Sequence, residues 1–369
     1  MLSSPARRIV PRARRIRGLG CYRTERPVGP IELDLARNEG PAPDAALARA
    51  VAERSRELMR RYPDTDELRG LLAKRHGVDP AWVLITAGAD DALMRAALAV
   101  LDPGCEALLT TPAFEMLRRY VRLAGAAPVE VPWLEGAYPL PDVSGLIGPR
   151  TRMIVVVSPN NPTGGVAEAR HLRALSRAAP AALLLVDLAY VEFADQDLTP
   201  CVLGLPNALA VRTFSKAWGL AGLRVGYVLG RPEVVEALRA AGSPYAVSSI
   251  SAAIAAERLR RDEDAVMAFV ERVRSERDAL TGLLTELGAA PLPSQANFVL
   301  VRVRNARGLW ASLGRCGIAV RIFPGDPLLR DWVRISCPGE PHAFDRLVRA
   351  LRRTLGCRKG YAGHDRRAT

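Results

Sequence analysis

"TRMIVVVSPNNPTGGVAEARHLRALSRAA", residues 151–179, carries the pattern on which the fold is read. Five apolar residues follow one another from Met153 to Val157 instead of alternating with polar ones. A strand of that kind buries both faces, as strands do in a parallel sheet covered by helices on each side. Pro, Asn and Gly then interrupt the run, and Leu172 and Leu175 return at helical spacing.

The same strand–turn–helix unit recurs. "WVLITAGADDALMRAALAVL" (82–101) and "EALLTTPAFEMLRRYVRLAGA" (106–126) repeat it, and "AALLLVDLAY" (181–190) and "ALAVRTFSKAWG" (208–219) add further buried strands. Upstream, "ELDLARNEGPAPDAALARAVAER" (32–54) reads as a short strand, a Pro/Gly loop and a helix started by Asp44. The texture changes near 245. "AAIAAERLRRDEDAVMAFVERVRSERDALTGLLTEL" (252–287) gives long amphipathic helices, and "NFVLVRV" (297–303), "IAVRIF" (318–323) and "DWVRISC" (331–337) give short strands. The expectation is an α/β protein with this division: a basic arm over 1–30, a large domain with its N-terminal segment over 31–245, a smaller α+β domain over 246–355, and a basic tail over 356–369.

Composition excludes several classes. No apolar run approaches the ~20 residues a membrane helix needs, and the start "MLSSPARRIVPRARRIRGLG" has no apolar leader core. The net charge of +13 sits mostly at the ends: +7 over residues 1–30 and +5 over 351–369. That leaves +1 for the body, so a specific nucleic-acid surface is not expected. Six cysteines are scattered without a C-x-x-C pair, and four histidines form no ligand spacing. These point to reduced thiols in a cytoplasm and to no metal centre.

In open α/β sheets ligands bind at the carboxyl ends of the strands. Ala89-Asp90, Phe114, Asn160-Asn161, Asp187 with Tyr190, and Ser215-Lys216 all follow strands and would meet at one edge. Any one of them is an ordinary turn residue. Lys216 is less ordinary. The chain has only three lysines among 52 basic residues, so arginine serves almost every other cationic role. Arginine cannot form an imine; a lysine among aromatic and glycine residues can attack a carbonyl. A cofactor that works this way is pyridoxal 5′-phosphate (PLP), which needs a phosphate site and an acid for its ring nitrogen. Ala89 and Asp90 open a helix, where free N–H groups favour phosphate. Ser215 and Arg224 add donors, and Asp187 ends the apolar run as a candidate acid.

Three stretches, "SPNNPTG" (158–164), "DLAYVEF" (187–193) and "TFSKAWGLAGLRVGY" (213–227), resemble the signatures of PLP-dependent aminotransferases of fold type I, class I/II. The resemblance covers roughly residues 31–355. "RNEGPAPD", "RYPD", "GADD", "SPYAVS", "SQANFVLV" and "VRIS" make it most similar to the histidinol-phosphate aminotransferases. It implies a large domain with a mostly parallel mixed sheet between helices, and a smaller α+β domain. It implies Lys216 as the Schiff-base lysine and acid/base, Asp187 on the pyridine nitrogen, and Tyr190 and Asn161 on the phenolic oxygen. Phe114 would stack on the ring. Ala89, Asp90, Thr213, Ser215 and Arg224 would cradle the phosphate, with Tyr62 reaching it from the partner of a homodimer. Arg334, Arg321 and Asn38 would bind substrate. The implied reaction is histidinol phosphate with 2-oxoglutarate, giving imidazole-acetol phosphate and glutamate in histidine biosynthesis. An aminotransferase for aromatic or other amino acids, and a phospho-amino-acid decarboxylase on the same fold, are the alternatives. Two positions depart from the pattern: Leu188 stands where the family carries an acid, and Ser158 opens the Asn-Asn-Pro turn. Tyr22 is the only aromatic of the basic arm and receives no role.

Overall fold

The computed structural model describes residues 13–22 and 24–356. Residues 1–12 of the basic arm and 357–369 of the basic tail lie outside the described residues.

Seven strands form the main sheet, in the order Val83–Thr86, Gly226–Gly230, Ala208–Thr213, Leu183–Asp187, Thr151–Val157, Glu106–Thr111, Ala127–Pro132. Gly226–Gly230 runs antiparallel to both its neighbours, and the other adjacent pairs are parallel. This is the mixed, mostly parallel α/β sheet expected. The unbroken apolar runs divide by the pleat. Ile154, Val156, Leu184 and Val186 enter one core; Met153, Val155, Leu183 and Leu185 enter the other, on the opposite face. Each fully buried leucine contributes about 1.5–3 kcal/mol.

Parallel strands share one carboxyl edge. The lone antiparallel strand begins at that edge, since Gly226 pairs with both Thr86 and Thr213. Arg224 therefore returns beside Ser215 although nine residues separate them. Gly226 is required there: a Cβ would lie 2.6 Å from the carbonyl carbon of Gly88.

Asp44 caps the Ala45–Ala52 helix, its side chain accepting from the Ala46 N–H at 2.8 Å. The helices Ser249–Arg261 and Glu263–Glu286 lead to an antiparallel four-stranded sheet in the order Arg321–Ile322, Trp332–Ser336, Phe298–Arg302, Ala290–Pro291. "IAVRIF", read as one strand, divides at Val320. Ile318–Ala319 pairs in parallel with Leu33–Asp34, while Arg321–Ile322 pairs with Trp332–Ser336. An apolar run shows that a segment is buried but not which neighbour it pairs with. Among the described residues no helix is long and apolar enough to cross a membrane.

Candidate active site

Asp187 ends the central strand and is 4% exposed. It accepts one backbone N–H, from Ala189 at 3.0 Å. Among the described residues no cationic side chain pairs with it. Burial pushes its carboxyl up to about 6; the charge on Asp90 adds to this, while the Ala189 N–H and the Lys216 charge oppose it. Tyr190, three residues on, receives a hydrogen bond from Asn38 Nδ2 at 2.9 Å and packs edge-on against Phe298.

The turn after Ala208–Thr213 presents Lys216. Its Nζ donates to the Arg37 carbonyl at 3.1 Å and lies 5.5 Å from the centroid of the Tyr190 ring. The backbone of this turn touches the loop at 38–41. A Cβ on Gly40 would sit 1.8 Å from the Lys216 carbonyl oxygen, so that approach admits only glycine.

Beside it lies a ring of donors. Arg224, left-handed at φ 52°, donates through Nη1 to Ser215 Oγ at 3.3 Å and pairs through Nη2 with Asp90 at 3.3 Å. A non-glycine residue at such a φ is held there by its surroundings, at a cost of about 1–3 kcal/mol. Ala89 and Asp90 open the Gly88–Val100 helix. The Asp90 carboxylate also accepts from Tyr120 Oη at 3.1 Å. Arg224 and Tyr120 both hold it by its side chain, leaving its N–H as the group that suits an anion. Thr213 Oγ1 accepts the Ser215 N–H at 3.1 Å.

A second group forms at the mouth. Arg334, 6% exposed, donates to Asn161 Oδ1 through Nη1 and to the Ala36 carbonyl at 2.6 Å through Nη2. Among the described residues its Nε has no hydrogen-bond partner. Arg321 is its register partner on the adjacent antiparallel strand, so the two side chains share a face. Neither arginine pairs with a carboxylate among the described residues. Burial brings the Arg334 guanidinium down to about 10, and the Arg321 charge adds to that effect against the favourable Tyr190 charge. The Arg321 guanidinium lies 5.4 Å from the Phe323 ring centroid and 6.0 Å from that of Tyr22.

Asn38 is 1% exposed and left-handed at φ 56°. It bonds Tyr190 through Nδ2 and accepts from Ser336 Oγ at 2.6 Å through Oδ1. Read from the sequence as a substrate ligand, it links the two groups, with its side chain engaged at both ends. Phe114 precedes the Glu115–Leu123 helix at the same sheet edge, half-buried. Tyr62 stands apart from the cluster: it is 80% exposed and stacks on Tyr245 at 4.6 Å.

Sequence reasoning passed over four contributors. The Arg37 and Ala36 carbonyls left no side-chain signal. Ser336 and Asn297, whose Nδ2 donates to the Asn38 carbonyl at 3.3 Å, sit within quoted stretches, but nothing in their type marked them. Tyr22 was set aside, yet its ring lies over Arg321.

The residues fit PLP on two structural counts. Asp187 is a buried carboxylate without a cationic partner, which a protonated ring nitrogen would supply. The Ala89, Ser215 and Arg224 donors converge at a helix start as a phosphate requires.

The sequence model of the family described as "Aminotransferase class I and II" matches residues 31–351. An aromatic amino acid aminotransferase of Mycobacteroides abscessus is 35% identical over 330 residues, covering 88% of this chain and 94% of the relative. Histidinol-phosphate aminotransferase 2 of Ralstonia nicotianae is 33% identical over 361 residues, covering 92% and 96%. The crystal structure of histidinol-phosphate aminotransferase from Sinorhizobium meliloti in complex with pyridoxal-5′-phosphate superposes with a TM-score of 0.83 at 27% identity, covering 96% of this chain and 99% of that one.

Proposed function

The chain belongs to the class I and II aminotransferases, PLP-dependent enzymes, and on that premise we propose that it transfers the amino group of histidinol phosphate to 2-oxoglutarate. One observation carries the choice of donor: Arg321 and Arg334 lie side by side with no acid partner among the described residues. Like charges placed directly opposite destabilise a sheet pair. A dianionic phosphate satisfies two guanidiniums where a single carboxylate satisfies one. The acceptor's distal carboxylate would use Arg334 of the pair, so both substrates present their anion to one place.

Lys216 would hold the cofactor, Asp187 would keep its ring nitrogen protonated, and Tyr190 with Asn161 would bind its phenolic oxygen. Ala89, Asp90, Thr213, Ser215 and Arg224 hold the phosphate, and Phe114 covers the ring. When bound, PLP supplies an electron sink that makes the hydrogen on the amine-bearing carbon acidic. The Lys216 Nζ would serve as the acid/base group that moves that proton. The hydrogen bond from Nζ to the Arg37 carbonyl orients the amine. Tyr62, exposed with Tyr245 beside a cavity of about 210 Å³, is the residue we assign to a partner subunit's phosphate site in a homodimer. The division into a large unit at 31–245 and a smaller one at 246–355 belongs to the same reading. Its support is that the seven-stranded sheet ends at Gly230 and the four-stranded one starts at Ala290.

The second reading is an aromatic amino acid donor. The M. abscessus relative favours it, and so do the Phe323 and Tyr22 rings around Arg321. The deciding test adds one donor at a time, without acceptor, and follows the visible absorption of the bound cofactor. Loss of that absorption at lower concentrations of histidinol phosphate than of phenylalanine is the expected result. A response to phenylalanine alone would replace the first reading with the second.

A further inference from the structure

Near Lys216 lies an ion cluster around the buried Arg212, with Asp197 at its exposed end, that the reaction itself does not use. Arg212, on the strand leading to Lys216, is 5% exposed. Its Nη2 donates to Glu192 Oε1 at 2.9 Å, and its Nη1 donates to Asp197 at 3.1 Å and to Thr199 Oγ1 at 2.9 Å. The same Glu192 oxygen accepts the indole N–H of Trp218 at 3.3 Å. Trp218 is held elsewhere as well. Its ring meets Phe214 at 5.5 Å and the Arg75 guanidinium at 5.3 Å, and its carbonyl accepts from Arg258 Nε at 3.2 Å.

One carboxylate oxygen thus ties three segments. Glu192 follows Asp187 and Tyr190 on their loop, Arg212 precedes Lys216, and Trp218 follows it. Within the turn the Gly219 N–H bonds the Lys216 carbonyl at 3.0 Å, so a shift of Trp218 is passed directly to Lys216. We propose that Glu192, acting through Trp218, is a positioning residue that sets where the Lys216 amine stands relative to Asp187 and Tyr190. The inference rests on the reading of Lys216 given above. Placement matters because a displacement of about 1 Å at a reacting group can cost 100-fold in rate.

The test uses the full chain and separates the indole N–H from the ion pair. Trp218→Phe keeps a ring on the Phe214 and Arg75 side and removes the donor together with part of the buried ring volume. It should lower kcat roughly 10-fold with KM within about twofold, and slow covalent uptake of added pyridoxal 5′-phosphate by the cofactor-free protein to a similar degree. Glu192→Gln retains an acceptor for the indole and should recover most of both rates, unlike Glu192→Ala. A Trp218→Phe protein with unchanged kcat and uptake rate would overturn the proposal, as would equal losses in kcat, KM and melting temperature, which mark a structural role only. Lys216→Ala, run alongside, keeps the two failures apart: uptake and turnover surviving in that variant would remove the premise itself.

Discussion

The floor and the mouth of the site carry opposite uncompensated charges. At the floor, Asp187 is a buried carboxylate with one backbone N–H and no cationic side chain paired to it among the described residues. At the mouth, Arg334, hydrogen-bonded to neutral oxygens, and Arg321 stand together in an aromatic surround, with no acid paired to either among the described residues. Burying either sign alone is costly. On the proposed reading each is the complement of a group that arrives with a ligand: a protonated ring nitrogen below, an anion above. A site so polarised would admit an amine donor with an anionic tail in one direction.

The largest effect should come from the amine between these poles. Lys216→Ala should reduce turnover by roughly 10⁴-fold, the upper end for a positioned acid/base group, with the melting temperature held. Steady-state assays beside thermal unfolding check both halves.

Asp187→Asn tests the floor, and stability and activity should move in opposite directions. The folded carboxyl titrates at about 6, above its ordinary 3.8, so the fold favours the protonated form. The burial cost is absent below about pH 4 and complete above about pH 6, where two pKa units correspond to ~3 kcal/mol. The cofactor-free Asn variant should therefore unfold at a higher temperature than the parent at pH 8, and no higher at pH 4. Its kcat should fall by roughly 10²–10³-fold, the scale of a lost electrostatic contact to the reacting system. A variant less stable at pH 8 would show that Asp187 has a compensating partner.

The mouth should respond in KM. Arg334→Ala should raise KM for donor and acceptor roughly 10- to 100-fold, the worth of a hydrogen bond to a charged group, with PLP affinity unchanged. Arg321→Ala should separate the substrates: about 10-fold in KM for histidinol phosphate, and much less for phenylalanine. Equal effects on the two donors would dissolve the argument for a phosphorylated one.

The floor was legible because its parts lie in short runs. Asp187 and Tyr190 are three residues apart, and Thr213, Ser215, Lys216 and Arg224 fall within twelve. A strand end fixes such residues almost by itself. The mouth draws on Ala36, Asn161, Arg321 and Arg334, with Tyr22 nearby, spread over some 300 residues. No local pattern says that "IAVRIF" divides so that Arg321 faces Arg334 while Ile318 pairs with Leu33. Backbone carbonyls, such as those of Arg37 and Ala36, carry no sequence signal at all. The relatives mirror this difference: proteins similar to this chain along most of its length are named for aromatic and for histidinol-phosphate donors.

Asn38 is where floor and mouth meet, and the smallest expected effect is the most telling about them. Its amide nitrogen bonds Tyr190, and its oxygen bonds Ser336, two residues beyond Arg334. Its left-handed backbone suits asparagine better than most residues. Ser336→Ala removes a hydroxyl that also reaches the Leu35 carbonyl at 2.8 Å. It should cost about 1 kcal/mol of stability and change kcat/KM only about threefold, because Asn38 keeps its bond to Tyr190. Among the described residues the hydrogen-bond link between Tyr190 and Ser336 runs through Asn38, and Phe298, which packs on Tyr190 and pairs with Ser336, gives a second route by packing. A double-mutant cycle of Tyr190→Phe with Ser336→Ala should therefore show a coupling above the ~0.5 kcal/mol at which independent sites add. Strict additivity would mean that the two poles are set separately, and that Asn38 fills space between them without joining them.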